Sequence, residues 1–266
     1  MRDACRWAPD RLWWLPDGDY RWACCRFRRE HMTSHVEATR RLRPHIFDTD
    51  WMMLRGLTRA ITSHLSERLN RGQRLLDFGC GVMPYRALVE ERGAIYLGAD
   101  FGGNAMVSIM PDGSLDAVAD ASVDIVLSVQ VLEHVRDLDR YFAEIDRVLK
   151  PDGTLLLSTH GTWLFHPHPE DHRRWTRTGL AHDIETRGFR VEAVESIVGP
   201  LATTTMIRLT GFAFFLRRIP VVGSAAAGLL AVVMNARGWI EDRLTPCGIR
   251  DDNGCVYLTL CRKAGR

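Results

Sequence analysis

Residues Leu75–Asp100 read LLDFGCGVMPYRALVEERGAIYLGAD, and this stretch decides the fold. A short apolar run over Arg74–Phe78 ends in the glycine turn Gly79-Cys80-Gly81, which predicts a buried strand that stops abruptly. Arg86–Arg92 then predicts a helix, and Ile95–Ala99 a second strand closing on Asp100. Strand, glycine turn, helix and strand make one crossover unit of a parallel sheet. Open sheets of this kind bind ligands outside the carboxyl ends of their strands, so the glycine turn and Asp100 face one crevice.

The glycine pattern narrows the ligand. Glycine lets the backbone approach a ligand closely. A dinucleotide site wants G-x-G-x-x-G with the pyrophosphate on the helix N-terminus, but here Gly81 is followed by Val82-Met83-Pro84. Pro84 suits the first turn of a helix. Asp77, two residues before Gly79, would repel a pyrophosphate; it suits the ammonium of a cationic amino-acid ligand, held directly or through ordered water. Asp100 stands about 20 residues beyond the glycines, where an acid holds a ribose diol. Asp112, just past a third strand, is the candidate for an adenine amine, with Asp116 and Asp120 as alternatives.

Working outward, Met53, Leu54, Leu57, Ile61, Leu65 and Leu69 recur at three- and four-residue steps and predict an amphipathic helix over Trp51–Leu69. Met106–Met110 predicts a third strand. Val123–Val129 (VDIVLSV) is a fourth, continuously apolar as in parallel sheets covered on both faces. Leu138–Leu149 reads as a helix, Pro151-Asp152-Gly153 as a turn, and Thr154–Thr159 as a fifth strand. A helix over Thr178–Arg187, capped by Thr178 and stopped by Gly188, leads to a sixth strand at Arg190–Ile197; Cys255–Cys261 is the seventh.

Two segments carry a family likeness. Leu75–Asp100 resembles the first two motifs of the class I S-adenosylmethionine-dependent methyltransferases. SVDIVLSVQVLEHVRDLDRYFAEIDRVLKPDGTLLLST, Ser122–Thr159, resembles their fourth- and fifth-strand motifs, above all in the branch acting on small molecules. S-adenosylmethionine carries an ammonium and no phosphate, as the glycine pattern requires. The likeness covers about 65–197 and the last strand. It implies an α/β fold: a doubly wound, mainly parallel, seven-stranded Rossmann-like sheet with an antiparallel last strand; the apolar stretch before that strand reads as a helical insert of this chain's own. It further implies S-adenosyl-L-methionine as cofactor, with Asp77, Gly79, Cys80 and Gly81 around the methionine part, Asp100 on the ribose, Asp112 on the adenine, and Ser128–Gln130 (Ser128 and Gln130 being the named contacts) walling the sulfonium. Methyl transfer to a heteroatom, oxygen first, needs no metal.

His160–Trp175 (HGTWLFHPHPEDHRRW) follows the fifth strand and should lie over the methyl-donor crevice. His168, Asp171 and His172 are the candidates for a general base on an acceptor hydroxyl; the plainer reading is a structured loop with Asp171–Arg174 as a local ion pair. The histidines lack a usual zinc spacing, so no metal is assigned. Glu133-His134 reads as a helix start with an acid at the dipole's positive end, or as neighbours of the sulfonium.

The rest bounds the protein's setting. With 266 residues, 26% charged and a net charge of +2, it has the balance of a soluble domain and no electrostatic case for nucleic acid. Seven cysteines without C-x-x-C spacing read as reduced thiols, and Asp3, Asp10, Asp17 and Asp19 interrupt any secretory signal, so a cytoplasmic protein is expected. Residues 1–45 form a Trp- and Arg-rich arm of unassigned role, with Met32 as an alternative start; 46–200 and 250–266 form the catalytic domain. Between them 201–249 is an apolar helical insert whose stretch Ile219–Met234 carries no charge. It is short of the roughly 20 residues a span needs; it is expected to be a packed helical pair or lid, or to make peripheral membrane contact through 201–244. The acceptor is expected to be a small molecule, a glycan or a lipid-like compound. Two rivals stand: a non-catalytic module that binds S-adenosylmethionine or nothing and acts as an adaptor, and a nicotinamide-dependent oxidoreductase, disfavoured by the missing third glycine.

Overall fold

The computed structural model describes residues 36–101, 105–166 and 170–265. Seven strands form one sheet: Arg74–Phe78 (β1), Ile95–Asp100 (β2), Val107–Ser108 (β3), Val123–Val129 (β4), Leu149–His160 (β5), Phe189–Ile197 (β6) and Val256–Lys263 (β7). Their order is β3-β2-β1-β4-β5-β7-β6. β7 runs antiparallel to both β5 and β6, and the remaining pairs are parallel. The expected doubly wound, mainly parallel sheet is therefore present, with its direction of winding reversing between β1 and β4, where such sheets bind ligands.

The central strands are mostly apolar because both faces are covered, whereas the edge strand β6 carries Arg190, Glu192 and Glu195. Leu75, Ile125, Leu127, Leu156 and Leu258 pack beneath Leu57, Ile61 and Leu65 of the helix Trp51–Arg68 (α1). Their neighbours Leu76, Val126, Leu155 and Leu157 face the other way, onto Phe142 and Ile145 of Leu138–Val148 (α3) and Leu180 and Ile184 of Arg177–Glu185 (α4). The short helix Arg86–Glu90 (α2) links β1 to β2.

Three local readings shift. β3 is shorter than Met106–Met110 because the chain turns at once, with the Met110 N–H donating to the Ser114 carbonyl at 2.9 Å. Pro151-Asp152-Gly153 does not precede the fifth strand but bulges within it: Leu149 pairs with Val123 and Thr154 already with Ile125. α4 is capped by Thr176, whose hydroxyl accepts from the Gly179 N–H at 3.1 Å, and not by Thr178. Cys80, Cys247, Cys255 and Cys261 are free thiols.

The insert is a helical hairpin, Pro200–Leu216 (α5) and Gly223–Leu244 (α6), followed by the short helix Cys247–Asp252 (α7). α5 and α6 meet through Leu209, Ala213, Ala227 and Ala231, so mostly small side chains fill the seam. The base of the hairpin is tied to the domain. Asn235 donates to the carbonyls of Ile46 and Asp48 at 2.8 Å, and Asp242 accepts from the Gly199 N–H at 2.6 Å. The outer faces and tip leave Phe212, Phe215, Val222 and Leu229 exposed, and Val221 is 98% exposed. Among the described residues no helix is long and apolar enough to cross a membrane.

Candidate active site

The glycine turn is drawn to the end of β2. The N–H groups of Gly79 and Cys80 donate to the Ala99 carbonyl at 2.8 and 3.0 Å. The two glycines then differ. Gly79 sits at φ +80°, and a Cβ there would lie 2.4 Å from Val131 Cγ2, so packing forbids a side chain. Gly81 sits at φ +51°, and a Cβ there would meet nothing within 4 Å. It opens onto free space beside the end of β2, which a side chain would enter.

Acids line this space. Asp100 accepts from the Gly81 N–H through Oδ2 and from the Phe101 N–H through Oδ1, each at 2.7 Å. Each carboxylate oxygen retains acceptor capacity for a further donor. Asp77 is buried at the end of β1 and accepts from the Tyr96 hydroxyl at 2.6 Å. Burial pushes its pKa up to about 7; the Tyr96 hydrogen bond opposes the rise and the nearby charge of Asp100 adds to it. Burial, with the charges of Asp77 and Asp100, pushes the Cys80 thiol up to about 12, so it stays protonated.

Asp112 lies in the turn after β3, where it accepts from the Ser114 N–H at 3.0 Å and from Arg140 of α3 at 2.9 Å. Asp116 takes the Ser114 hydroxyl, and Asp120 takes Arg147. Ser128 is buried on the α3 face: its hydroxyl donates to the Phe78 carbonyl at 3.1 Å and accepts from the Tyr141 hydroxyl at 2.6 Å. Gln130 is different: it ends β4 at φ +56°, and its side-chain Nε2 is buried without a partner. A non-glycine residue at positive φ stores strain, which clusters at functional sites.

The loop after β5 is tied down by ion pairs. Asp171 is held by several partners. It is clasped by both terminal nitrogens of Arg174 and also accepts from the His166 N–H at 2.7 Å. Burial alone would raise its pKa, but these hydrogen bonds outweigh burial and hold it low. A carboxylate so engaged builds the loop and is a poor base. His172 remains available: its Nε2 lies 3.2 Å from Glu170 Oε2. Glu170 is in turn bound by Arg136 through Nε at 2.7 Å and Nη2 at 2.5 Å, which holds it below the usual carboxylate range. The His172 N–H donates to the Glu133 carbonyl at 2.8 Å, tying the loop to the end of β4. His168 lies outside the described residues.

Sequence reasoning missed the pair under this loop. Glu133 and His160 are both buried, with His160 Nε2 3.5 Å from Glu133 Oε1 and the Thr159 hydroxyl donating to Glu133 Oε2 at 2.8 Å. Burial, with the charges of Arg174 and His166, lowers His160 to about 3, so its imidazole is neutral; burial raises Glu133. The available signal was positional: both residues stand just beyond or at the ends of adjacent parallel strands.

A family model described as a methyltransferase domain matches residues 51–194, more than half of the chain. The chain is a class I S-adenosylmethionine-dependent methyltransferase. A Mycolicibacterium smegmatis protein whose name describes an S-adenosylmethionine-dependent methyltransferase is 30% identical over 137 residues, 46% of this chain and 53% of that protein. The ubiquinone biosynthesis O-methyltransferase of Sinorhizobium fredii is 33% identical over 103 residues, 34% of this chain and 42% of that enzyme. The chain thus spans about half the length, or less, of these curated relatives. Among solved structures, the [4+2]-cyclase SpnF superposes with a TM-score of 0.52 at 21% identity, covering 81% of this methyltransferase and 83% of that chain. An S-adenosylmethionine-dependent methyltransferase from Mesorhizobium loti gives 0.50 at 17% identity, covering 78% and 98%. Both share its fold. The cofactor of the methyltransferase is S-adenosylmethionine, and the residues present fit it: an open glycine cradle, a buried acid that suits an ammonium, and a second acid with free acceptor capacity.

Proposed function

We propose that the protein methylates an oxygen of a small-molecule, glycan or lipid-like acceptor, with the donor held over β1, β2 and β4 and the acceptor under the loop 160–175. The open space at Gly81, bordered by Asp77 and Asp100, is the observation that carries this reading. Gly79 and Gly81 bring the backbone to the methionine part, Asp77 receives its ammonium, Asp100 the ribose diol and Asp112 the adenine amine. Gln130, at positive φ just beyond β4, walls the sulfonium side of the crevice in this reading. When bound, S-adenosylmethionine supplies a methyl group already activated on a sulfonium. The protein's task is therefore alignment, which can supply on the order of 7–11 kcal/mol.

His172 is the base in this reading. With its Nε2 proton directed to Glu170, Nδ1 is free to take the proton of an acceptor hydroxyl, and Glu170 stabilises the imidazolium. Oxygen is favoured because relatives named as O-methyltransferases act in ubiquinone biosynthesis and on malonyl-[acyl-carrier protein]. Calorimetry with S-adenosylhomocysteine, set against a nicotinamide dinucleotide, tests the donor side. A panel of hydroxylated acceptors read by homocysteine-coupled turnover tests the acceptor side. Binding of the dinucleotide alone would overturn the donor assignment.

We also propose that the hairpin tip touches an anionic membrane surface. From 196 to 240 the chain carries Arg208, Arg217, Arg218 and Arg237 and no acidic residue. Exposed Phe215, Ile219, Val221 and Val222 crown the tip beside Arg217 and Arg218. Basic residues near such a surface contribute about 1 kcal/mol each. Flotation with phosphatidylglycerol vesicles that fails at low salt would remove this contact.

A further inference from the structure

Away from the crevice, a groove of about 880 Å³ runs between α1, the edge strand β6 and the base of the hairpin. That volume is within the range of ligand pockets. Its walls carry Arg55 and Arg59 from α1, Arg177 from the start of α4, Arg243 from α6 and Arg250 from α7. The acids in the groove are already committed: Glu195 to His64 at 3.5 Å, Asp242 to the Gly199 N–H, and Asp251 to Arg250 at 3.6 Å. Among the described residues Arg55, Arg59 and Arg243 have no carboxylate partner.

Two of these arginines are held in place by aromatic faces. Arg55 lies over the Trp51 ring at 5.1 Å and Arg243 over the Trp239 ring at 3.3 Å. A guanidinium seated over a ring face keeps N–H donors for an anion. Arg177, on the same wall, has its Nε buried without a hydrogen bond while its Nη1 lies 3.9 Å from Asp252. Guanidinium groups without carboxylate partners, two of them seated on aromatic rings, form a receptor for a multiply charged oxyanion.

We propose that this groove binds a phosphate-bearing ligand, a diphosphate or phosphate ester, independently of the methyl-donor crevice. The full chain titrated with inorganic pyrophosphate by calorimetry should show saturable one-to-one binding that weakens with salt. Arg55→Ala/Arg59→Ala should lower the pyrophosphate affinity at least tenfold and leave S-adenosylhomocysteine affinity unchanged; Arg177→Gln should give a smaller loss. Arg217→Ala/Arg218→Ala at the hairpin tip should leave pyrophosphate binding intact. No saturable binding, or an equal loss from the tip variant, overturns the proposal. Phosphatidylglycerol vesicles separate the sources. Flotation abolished by Arg55→Ala/Arg59→Ala and by pyrophosphate places the phosphate on a lipid, whereas flotation indifferent to both places it on a soluble ligand. Failure of S-adenosylhomocysteine to bind, with pyrophosphate still bound, would sink the methyl-donor assignment and leave the groove standing.

Discussion

At the β1–β2 end of the crevice Gly81 opens onto free space and Asp77 is pushed up to about 7, whereas after β5 Asp171 and Glu170 are each clasped by an arginine. The first region keeps polar groups strained, perturbed or short of partners. The second spends most of its charged groups on building the loop. Clustered ionisable residues are thus a poor guide to chemistry until their partners are known. His172 pairs with Glu170 through Nε2 and keeps Nδ1 for a further partner.

The largest expected effect tests that contrast within the loop. His172→Ala should lower turnover by roughly 10²–10⁴-fold, the usual worth of a general base, with S-adenosylhomocysteine affinity unchanged. Asp171→Asn should instead loosen the loop, reducing turnover while leaving the shape of the pH–rate profile as in the parent protein. Loss of the acidic limb in Asp171→Asn, with His172→Ala fully active, would reverse the two roles.

Next is the donor end. Gly81→Val should weaken S-adenosylhomocysteine about 100-fold, because the side chain fills the space the ligand needs, and should also lower Tm, because a β-branched residue at φ +51° is strained by roughly 1–3 kcal/mol. Gly79→Ala should act on stability, costing roughly 1–3 kcal/mol from overpacking against Val131. Normal binding by Gly81→Val would remove the cradle from the donor site.

The contrast also explains what the sequence made legible. The glycine turn, Asp77 and Asp100 were readable because their spacing is set by the local strand–turn–helix geometry, which neighbours in the chain determine. The Glu133–His160 and Asp77–Tyr96 pairs were not, because adjacent parallel strands bring together residues 27 and 19 positions apart only once the sheet forms. The Ser128–Tyr141 contact was hidden for a related reason: alternation along β4 turns Ser128 to the α3 face, where Tyr141 takes it. Asp171 and Arg174 are three apart and their pairing was readable, but the further grip of the His166 N–H was not.

A smaller effect concerns Asp77. Its carboxylate receives an ammonium only when ionised, and its pKa stands at about 7 in the free protein. S-adenosylhomocysteine affinity should therefore rise about tenfold between pH 6 and 8. Asp77→Asn should bind more weakly at pH 8 and lose the dependence. An unchanged slope in the variant would exclude Asp77 as its origin.

The smallest effect lies beneath the loop, in the pH dependence of stability. His160 falls from its ordinary 6.5 to about 3 on folding, chiefly through burial. The unfolded chain therefore takes up a proton first as pH falls, and the His160 contribution to stability, full above 6.5, is lost progressively down to about 3. Glu133 works in the opposite sense. Burial raises it, so the folded state holds its proton longer and stability falls as pH rises from the unfolded value through the folded one. The two slopes partly cancel in the parent protein. Denaturant titrations of the parent and of His160→Asn at pH 7 and pH 6 separate them. The parent should lose about 0.7 kcal/mol more over that interval than the variant, the share of one histidine shifted this far. The variant's residual slope should carry the sign of the raised acids, Asp77 foremost, with stability rising on acidification. Parallel curves for the two proteins would mean that His160 titrates normally and that its burial against Glu133 does not keep it neutral.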